Sequence, residues 1–70
     1  MPLTIAKQGE VTKIQRITGN LEIKKHLENL GFVPGESITV ISKNGDNVIV
    51  NIKESRVALG KSLANKINVM

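Results

Sequence analysis

The sequence lacks several residue types on which common functions of small proteins depend. It has no cysteine, tryptophan or tyrosine, and one phenylalanine and one histidine, in 70 residues. Without cysteine the chain forms no disulfide and no thiolate metal site, which fits a reducing compartment. No apolar run approaches the roughly 20 residues that span a bilayer, and residues 1–9 lack the cationic start and apolar core of a secretory signal. We therefore expect a single domain over residues 1–70, in the cytoplasm and not inserted in a membrane.

The scarcity of aromatic side chains argues against two binding functions that would otherwise suit a small basic domain. Proteins that bind single-stranded nucleic acids stack the bases on aromatic rings, and grooves that read proline-rich peptides are lined with aromatic residues. With Phe32 as its only aromatic residue, the chain builds neither platform. The net charge of +4 keeps nucleic-acid binding by a basic β-barrel face as the alternative function, although the ten basic residues are dispersed along the sequence.

No combination of residues is typical of an enzyme or of a metal site. His26 is the only histidine, and zinc sites need three or four protein ligands. A site made of carboxylates alone needs them clustered, whereas the six acidic residues are scattered along the sequence: Glu10, Glu22, Glu28, Glu36, Asp46 and Glu54. The glycines do not have the spacing of a nucleotide-binding loop. We therefore expect no catalytic residue, no metal-binding residue and no cofactor.

Residues 21–30 have the features of one amphipathic helix. Asn20 is a favourable N-cap, because its side chain accepts a hydrogen bond from an unpaired backbone N–H group of the first turn. Apolar residues then recur at i, i+4 and i+7, which places them on one helix face: Ile23, Leu27 and Leu30. Gly31 is predicted to end the helix in a left-handed conformation, and Pro34 prevents its continuation.

The rest of the sequence predicts five short strands. Residues 10–18 are rich in β-branched residues but space their apolar residues three apart, so we predict a strand with a bulge. Alternating apolar residues predict the next three strands, with tight turns at Asn44-Gly45 and Glu54-Ser55: Ile38 and Val40, Val48 to Ile52, and Val57 and Leu59. One helical turn within residues 60–66 precedes a last strand at Ile67 and Val69. Such short strands favour a small barrel or sandwich, and closing the sheet would remove its edges.

The order of these features resembles the FeoA family. The run Leu27-Glu-Asn-Leu30-Gly31-Phe32-Val33-Pro34-Gly35 is similar to the family's helix that ends in Leu-Gly, an apolar residue, any residue and Pro-Gly. The same family pattern has counterparts before and after this run: Ile14 and Ile17, and then Val57-Ala58-Leu59, Ala64, Ile67 and Val69. The sequence departs from it at Ala6, where a larger aliphatic residue is common, and at the short Asn44-Gly45 hairpin, which lacks a proline-containing loop.

The resemblance implies a fold and a function that the residues alone do not. The implied fold is mostly β: a small SH3-like five-stranded barrel, with one α-helix inserted after the first long strand and a short helical turn before the last strand. The implied function is that of a bacterial accessory protein of ferrous iron uptake, which contacts the membrane permease FeoB and its G-protein domain. In a narrower version, Arg16 or Arg56 serves that GTPase as an arginine finger.

We predict that the partner contact lies on the helix and on the turn that follows it. The residues of this predicted contact are Lys24, Lys25, Leu30, Gly31, Phe32, Val33, Pro34 and Gly35. Two interpretations of Phe32 remain open at this point. Phe32 and Val33 form an exposed apolar patch with the outward-facing Ile49, as partner surfaces often do, or Phe32 fills the end of the barrel as a core residue.

Overall fold

The computed structural model describes residues 1–70 and contains five strands and two α-helices. A 3₁₀ turn at Leu3–Ile5 precedes them, and the elements follow in this order: β1 (Val11–Ile17), α1 (Leu21–Asn29), β2 (Ser37–Asn44), β3 (Asn47–Ile52), β4 (Ser55–Gly60), α2 (Lys61–Ala64) and β5 (Ile67–Val69). The predicted fold class is confirmed, with the long helix after the first strand and the short helix before the last. Neither helix is long and apolar enough to cross a membrane.

The five strands form one antiparallel sheet in the order β4-β3-β2-β1-β5. A closed barrel was predicted, but the sheet is open. Its two edge strands, β4 and β5, do not form hydrogen bonds with one another. The second edge of β5 is taken by the first residues of the chain instead. Met1 and Val69 exchange two hydrogen bonds, of 2.7 and 3.0 Å, and Pro2 forms a bridge with Asn68.

The 3₁₀ turn and α2 pack together and link the two ends of the sheet. The helix α2 contacts β4 and the 3₁₀ turn, and the 3₁₀ turn also contacts β5. Thr4 Oγ1 donates a hydrogen bond to Asn65 Oδ1 at 2.6 Å, and Lys43 Nζ donates one to the Thr4 carbonyl oxygen at 2.8 Å. The helix α2 and these side-chain hydrogen bonds therefore cover the side of the sheet on which β4 and β5 do not pair.

The predicted bulge lies in the second half of β1. Ile14 lies opposite Val69 and Ile17 lies opposite Ile67, with one extra residue, Gln15, between the paired positions. An extra residue resets which side of the strand faces inward, so Ile14 and Ile17 both face the inner side although they are three apart. The helix-like spacing of this segment is therefore the signature of a bulged strand.

The helix α1 begins at the predicted residue and ends at Asn29, one residue before the predicted end. Asn20 Oδ1 accepts a hydrogen bond from the backbone N–H of Ile23 at 2.9 Å, and Gly31 follows the last turn with a φ of +103°. Leu27 is buried on the inner face of the helix, whereas Leu30 is 40% exposed and does not belong to the core. Glycine is favoured at this position because a Cβ atom is unfavourable at positive φ.

The core consists of fourteen buried apolar side chains contributed by every element: Leu3, Ala6, Ile14, Leu27, Phe32, Ile38, Val40, Val48, Val50, Ile52, Leu59, Ala64, Ile67 and Val69. The alternating residues of β2 and β3 fill it as predicted. The sequence pattern did not indicate the contribution of the 3₁₀ segment, where Leu3 and Ala6 are almost fully buried. Val11 points away from the core, and Thr12 takes the inner position with its hydroxyl donating to the Ile38 carbonyl oxygen at 3.2 Å.

Both hairpin turns lie one residue away from their predicted positions. The turn between β2 and β3 is Gly45-Asp46, with positive φ only at Gly45. The turn between β3 and β4 is Lys53-Glu54, and both residues have positive φ, 50° and 64°. This second turn has the backbone of a type I′ hairpin, in which glycine or asparagine is normally preferred. A lysine and a glutamate are therefore held in a conformation that is unfavourable for their side chains.

Replacing Glu54 with glycine is expected to stabilise the fold. Glycine relieves the clash of Cβ with the backbone at positive φ but loses more entropy on folding. We expect a net gain of about 0.5–1 kcal/mol, which raises Tm by about 2–8 °C in a domain of this size. Asp46→Gly is the matched control, because Asp46 occupies the second turn position of the other hairpin without a positive φ. Thermal unfolding followed by circular dichroism measures both variants, and an E54G variant that melts no higher than the parent chain would contradict the expectation.

Candidate functional site

One groove opens on the surface of the molecule, between the end of β1, one face of α1 and the turn after the helix. Its volume is about 270 Å³, and it is open to solvent on one side. Seven residues line it: Arg16, Ile17, Lys24, Glu28, Phe32, Val33 and Pro34. No other pocket is present in the structure. We take this groove as the candidate functional site.

Three local features of the backbone bring these residues together. The bulge at Gln15 places Arg16 opposite the outward Asn68 and turns Ile17 toward the inner side, so β1 contributes one cation and one apolar side chain. Lys24 and Glu28 are one helical turn apart and therefore share a face of α1. On the third side, the turn after α1 is fixed by Gly31 at its start and by hydrogen bonds to β1 at its end.

The backbone of Ile14 holds the turn after α1 against β1. The N–H group of Gly35 donates to the Ile14 carbonyl oxygen at 2.8 Å, and the N–H group of Ile14 donates to the Glu36 carbonyl oxygen at 2.9 Å. Phe32 is also fixed from the helix side, since its N–H group donates to the Leu27 carbonyl oxygen at 2.9 Å. The apolar side chains that this turn contributes to the groove are therefore carried by a backbone that is fixed at both ends.

The groove has an apolar floor and charged walls. Ile17 and Val33 are partly buried and Pro34 is exposed, so apolar surface remains accessible to a ligand. The charged residues Arg16, Lys24 and Glu28 are exposed. The single ion pair of the molecule joins Lys53 and Glu36 at 3.9 Å. The two cations of the groove therefore have no carboxylate within 4.0 Å.

The structure gathers part of the predicted contact region at this groove. Lys24, Phe32, Val33 and Pro34 line it. The other predicted residues, Lys25, Leu30, Gly31 and Gly35, are not among the lining residues. Lys25 is exposed elsewhere on α1, Leu30 follows the helix with 40% of its surface exposed, and the two glycines shape the turn.

Three lining residues were not predicted as contact residues: Arg16, Ile17 and Glu28. Arg16 was considered only as an arginine finger, and Arg56, the other candidate, lies on β4 away from the groove. Two sequence signals could have identified these lining residues. The predicted bulge changes the direction of Arg16 and Ile17 relative to a regular strand, and the four-residue spacing places Glu28 on the same helix face as Lys24.

Of the two interpretations of Phe32, the exposed apolar patch with Val33 and Ile49 is not formed. Phe32 is only 1% exposed and belongs to the core, so the interpretation of Phe32 as a core residue is correct. Ile49 lies on the outer face of β3 opposite Ala58 and does not line the groove. Burying the only aromatic ring stabilises a small core more than exposing it would, because aromatic side chains bury the largest apolar areas.

The side chains that could bind a metal ion do not form a cluster in this structure. No group of three among its histidine, aspartate and glutamate side chains comes close enough to hold a metal ion. His26 is exposed on α1 and does not line the groove. What the groove offers a ligand is apolar surface together with two cations and one carboxylate.

Comparison with known proteins identifies close structural and sequence relatives. Residues 1–70 match the family described as the FeoA domain. A Methanocaldococcus jannaschii protein that carries the name of an Fe(2+) transport protein A is 34% identical over 68 residues, which cover 97% of this chain and 83% of that protein. These findings confirm the resemblance that the sequence pattern indicated.

Two solved structures share the fold over almost their whole length. An iron uptake regulatory protein (FeoA) superposes with a TM-score of 0.91 at 27% identity, covering 99% of this chain and 93% of that one. The FeoA protein of Stenotrophomonas maltophilia in complex with zinc, a prokaryotic SH3 domain protein, superposes with a TM-score of 0.87 at 26% identity. That alignment covers 100% of this chain and 89% of that one. The predicted SH3-like fold is confirmed.

Truncation of Phe32 is expected to affect stability more than any other change at the groove. Phe32→Ala removes a buried ring and leaves a cavity, which costs about 3–5 kcal/mol, enough to unfold a large fraction of a 70-residue domain. Val33→Ala, in the partly exposed neighbour, is expected to cost about 1 kcal/mol or less. Urea unfolding of both variants checks this, and equal midpoints for the two would contradict the assignment of Phe32 to the core.

Proposed function

Because the chain belongs to the FeoA family, whose members are accessory proteins of ferrous iron transport, we propose that it acts by binding a FeoB-type permease. The proposed contact is with the cytoplasmic part of the permease, which includes its G-protein domain, so the chain works at the inner face of the membrane through its partner. The chain itself carries out no reaction in this proposal. The observation that carries the proposal is the groove, because four predicted contact residues line it.

The composition of the groove suits a contact with another protein. Well-packed protein interfaces have an apolar centre, where water is excluded, surrounded by a polar rim. Val33 and Pro34 provide accessible apolar surface at the centre, and the charged side chains of β1 and α1 surround it. The net charge of +4 adds a long-range attraction that speeds association with an acidic surface.

The alternative function, nucleic-acid binding by a basic face, has less support. Lys13 and Arg56 both lie on the outer face of the sheet, but on β1 and β4, with two strands between them. Strands are spaced by about 4.8 Å, so the two residues lie roughly 14 Å apart across the strands. They are also displaced along them, because Arg56 is level with Val11 and not with Lys13. The only aromatic ring is buried and is not available for stacking on bases.

The proposal is tested by titrating the chain with the cytoplasmic part of the FeoB-type permease from the same genome, in the presence and absence of guanine nucleotides. We expect saturable binding by calorimetry. Val33→Asp is expected to weaken it at least tenfold, because it places a charge on the apolar floor. Val11→Asp is the matched control, since Val11 is an exposed valine on the outer face of β1, and its affinity is expected to be unchanged.

Two results would count against the proposal. The first is no binding in either nucleotide condition, with both the chain and the permease fragment shown to be folded. The second is equal affinity for the Val33→Asp and Val11→Asp variants, which would place the contact elsewhere on the molecule. Retardation of DNA or RNA by the chain in a gel-shift assay at low salt, abolished at higher salt, would instead support the nucleic-acid alternative.

A further inference from the structure

We propose that the groove recognises a protein segment in which an apolar side chain is flanked by carboxylates. This inference rests on the proposed function and deepens it, because it states the chemistry of the partner segment. It follows from three properties of the groove: its size and apolar floor, its two unpaired cations, and the position of its one carboxylate.

The size of the groove favours a side chain over a small-molecule cofactor. Pockets for drug-sized ligands and cofactors have volumes of about 300–1,000 Å³ and enclose most of the ligand. This groove, at about 270 Å³, lies just below that range, and because it is open to solvent it would enclose little of such a ligand. Its floor is formed by Ile17, Phe32 and Val33, which offer no strong polar partner. An aliphatic side chain that projects from a larger partner fits such a floor, and burying it contributes binding free energy in proportion to the apolar area covered.

The two cations of the groove are free to pair with a ligand. Arg16 comes from β1 and Lys24 from α1, so they stand on two different walls of the groove. Neither has a carboxylate of this chain within 4.0 Å. Arginine binds carboxylates through two parallel hydrogen bonds, whereas lysine acts as a point charge. A segment with a carboxylate on each side of the inserted apolar residue would satisfy both cations.

Glu28 narrows the class of ligand further. It lies one helical turn after Lys24 on the same wall and is the only acidic residue in the lining. A continuous polyanion such as nucleic acid would bring phosphates close to this carboxylate, and like charges in close contact are unfavourable. A peptide can place its acidic residues at Arg16 and Lys24 alone. Glu28 thus acts against ligands whose negative charge extends along the whole groove.

The ligand chemistry is tested with three short blocked peptides of equal length. The first has a leucine flanked by two aspartates, the second a leucine flanked by two lysines, and the third an alanine flanked by two aspartates. Each is titrated into the isotope-labelled chain and followed by NMR chemical shifts. We expect the first peptide to shift signals of Ile17 and Val33, and the other two to bind at least fivefold more weakly.

Charge variants of the groove provide the second arm of the test. Arg16→Glu and Lys24→Glu are each expected to weaken binding of the first peptide about tenfold. Glu28→Gln is expected to strengthen it about two- to fivefold, because it removes the one repulsive charge. Lys13→Glu is the matched control: Lys13 is exposed on the outer face of the same strand as Arg16, outside the groove lining, and its charge reversal is expected to change the affinity less than twofold. Unfolding midpoints verify that each variant remains folded.

The outcomes separate this inference from the proposed function. Equal binding of the aspartate and lysine peptides, or equal effects of Lys24→Glu and Lys13→Glu, would overturn the inferred chemistry even if the permease fragment binds the chain. Weaker binding by Glu28→Gln would overturn the role given to Glu28. Selective binding of the first peptide, with no binding of the permease fragment, would support the groove chemistry and reject the permease as its partner.

Discussion

Two backbone hydrogen bonds at Ile14 connect the middle of β1 to the turn after α1, and the position of the groove depends on them. Through these bonds, the N–H and carbonyl groups of Ile14 hold Glu36 and Gly35. The bulge follows directly after Ile14 in the same strand, and it orients Arg16 and Ile17 so that both line the groove. One strand therefore anchors the turn that carries the apolar residues of the groove, and it also contributes two lining side chains, Arg16 and Ile17. Backbone geometry therefore sets where the groove lies, and the lining side chains give it its apolar and charged surface.

The parts of the fold that were predictable from the sequence are those governed by local signals. Asn20 and Gly31 bound the helix through capping geometry that depends on neighbouring residues alone, and alternation along β2 and β3 reports burial on one side. The bulge in β1 was also predictable, because β-branched residues favour a strand and their helix-like spacing then requires one extra residue. At the groove, the same local signals located Val33 and Pro34 on a turn directly after a helix.

The parts that were not predictable depend on contacts between distant segments. The burial of Leu3 and Ala6 follows from the packing of the 3₁₀ turn on α2, which no local pattern reports. The position of the turn at Lys53-Glu54 was not predicted. The pairing register of β3 and β4 fixes it there, and this outweighs the unfavourable positive φ of a lysine and a glutamate. Arg16 joins Lys24 only through the tertiary approach of β1 and α1. Closure of the sheet was expected from the general cost of free edges, yet Met1 takes the edge of β5 instead.

The pairing of β1 with β5 has a consequence for how the chain folds during synthesis. The hairpins β2–β3 and β3–β4 join neighbouring segments and can form early, whereas β1 meets its partner β5 across most of the sequence. Long-range pairing slows folding, because the entropy of loop closure is lost before the stabilising contacts between the distant strands form. Until residues 67–69 leave the ribosome, one edge of β1 has no partner, and unpaired strand edges promote aggregation. A nascent chain that stalls before Ile67 would expose the very strand on which the groove is built.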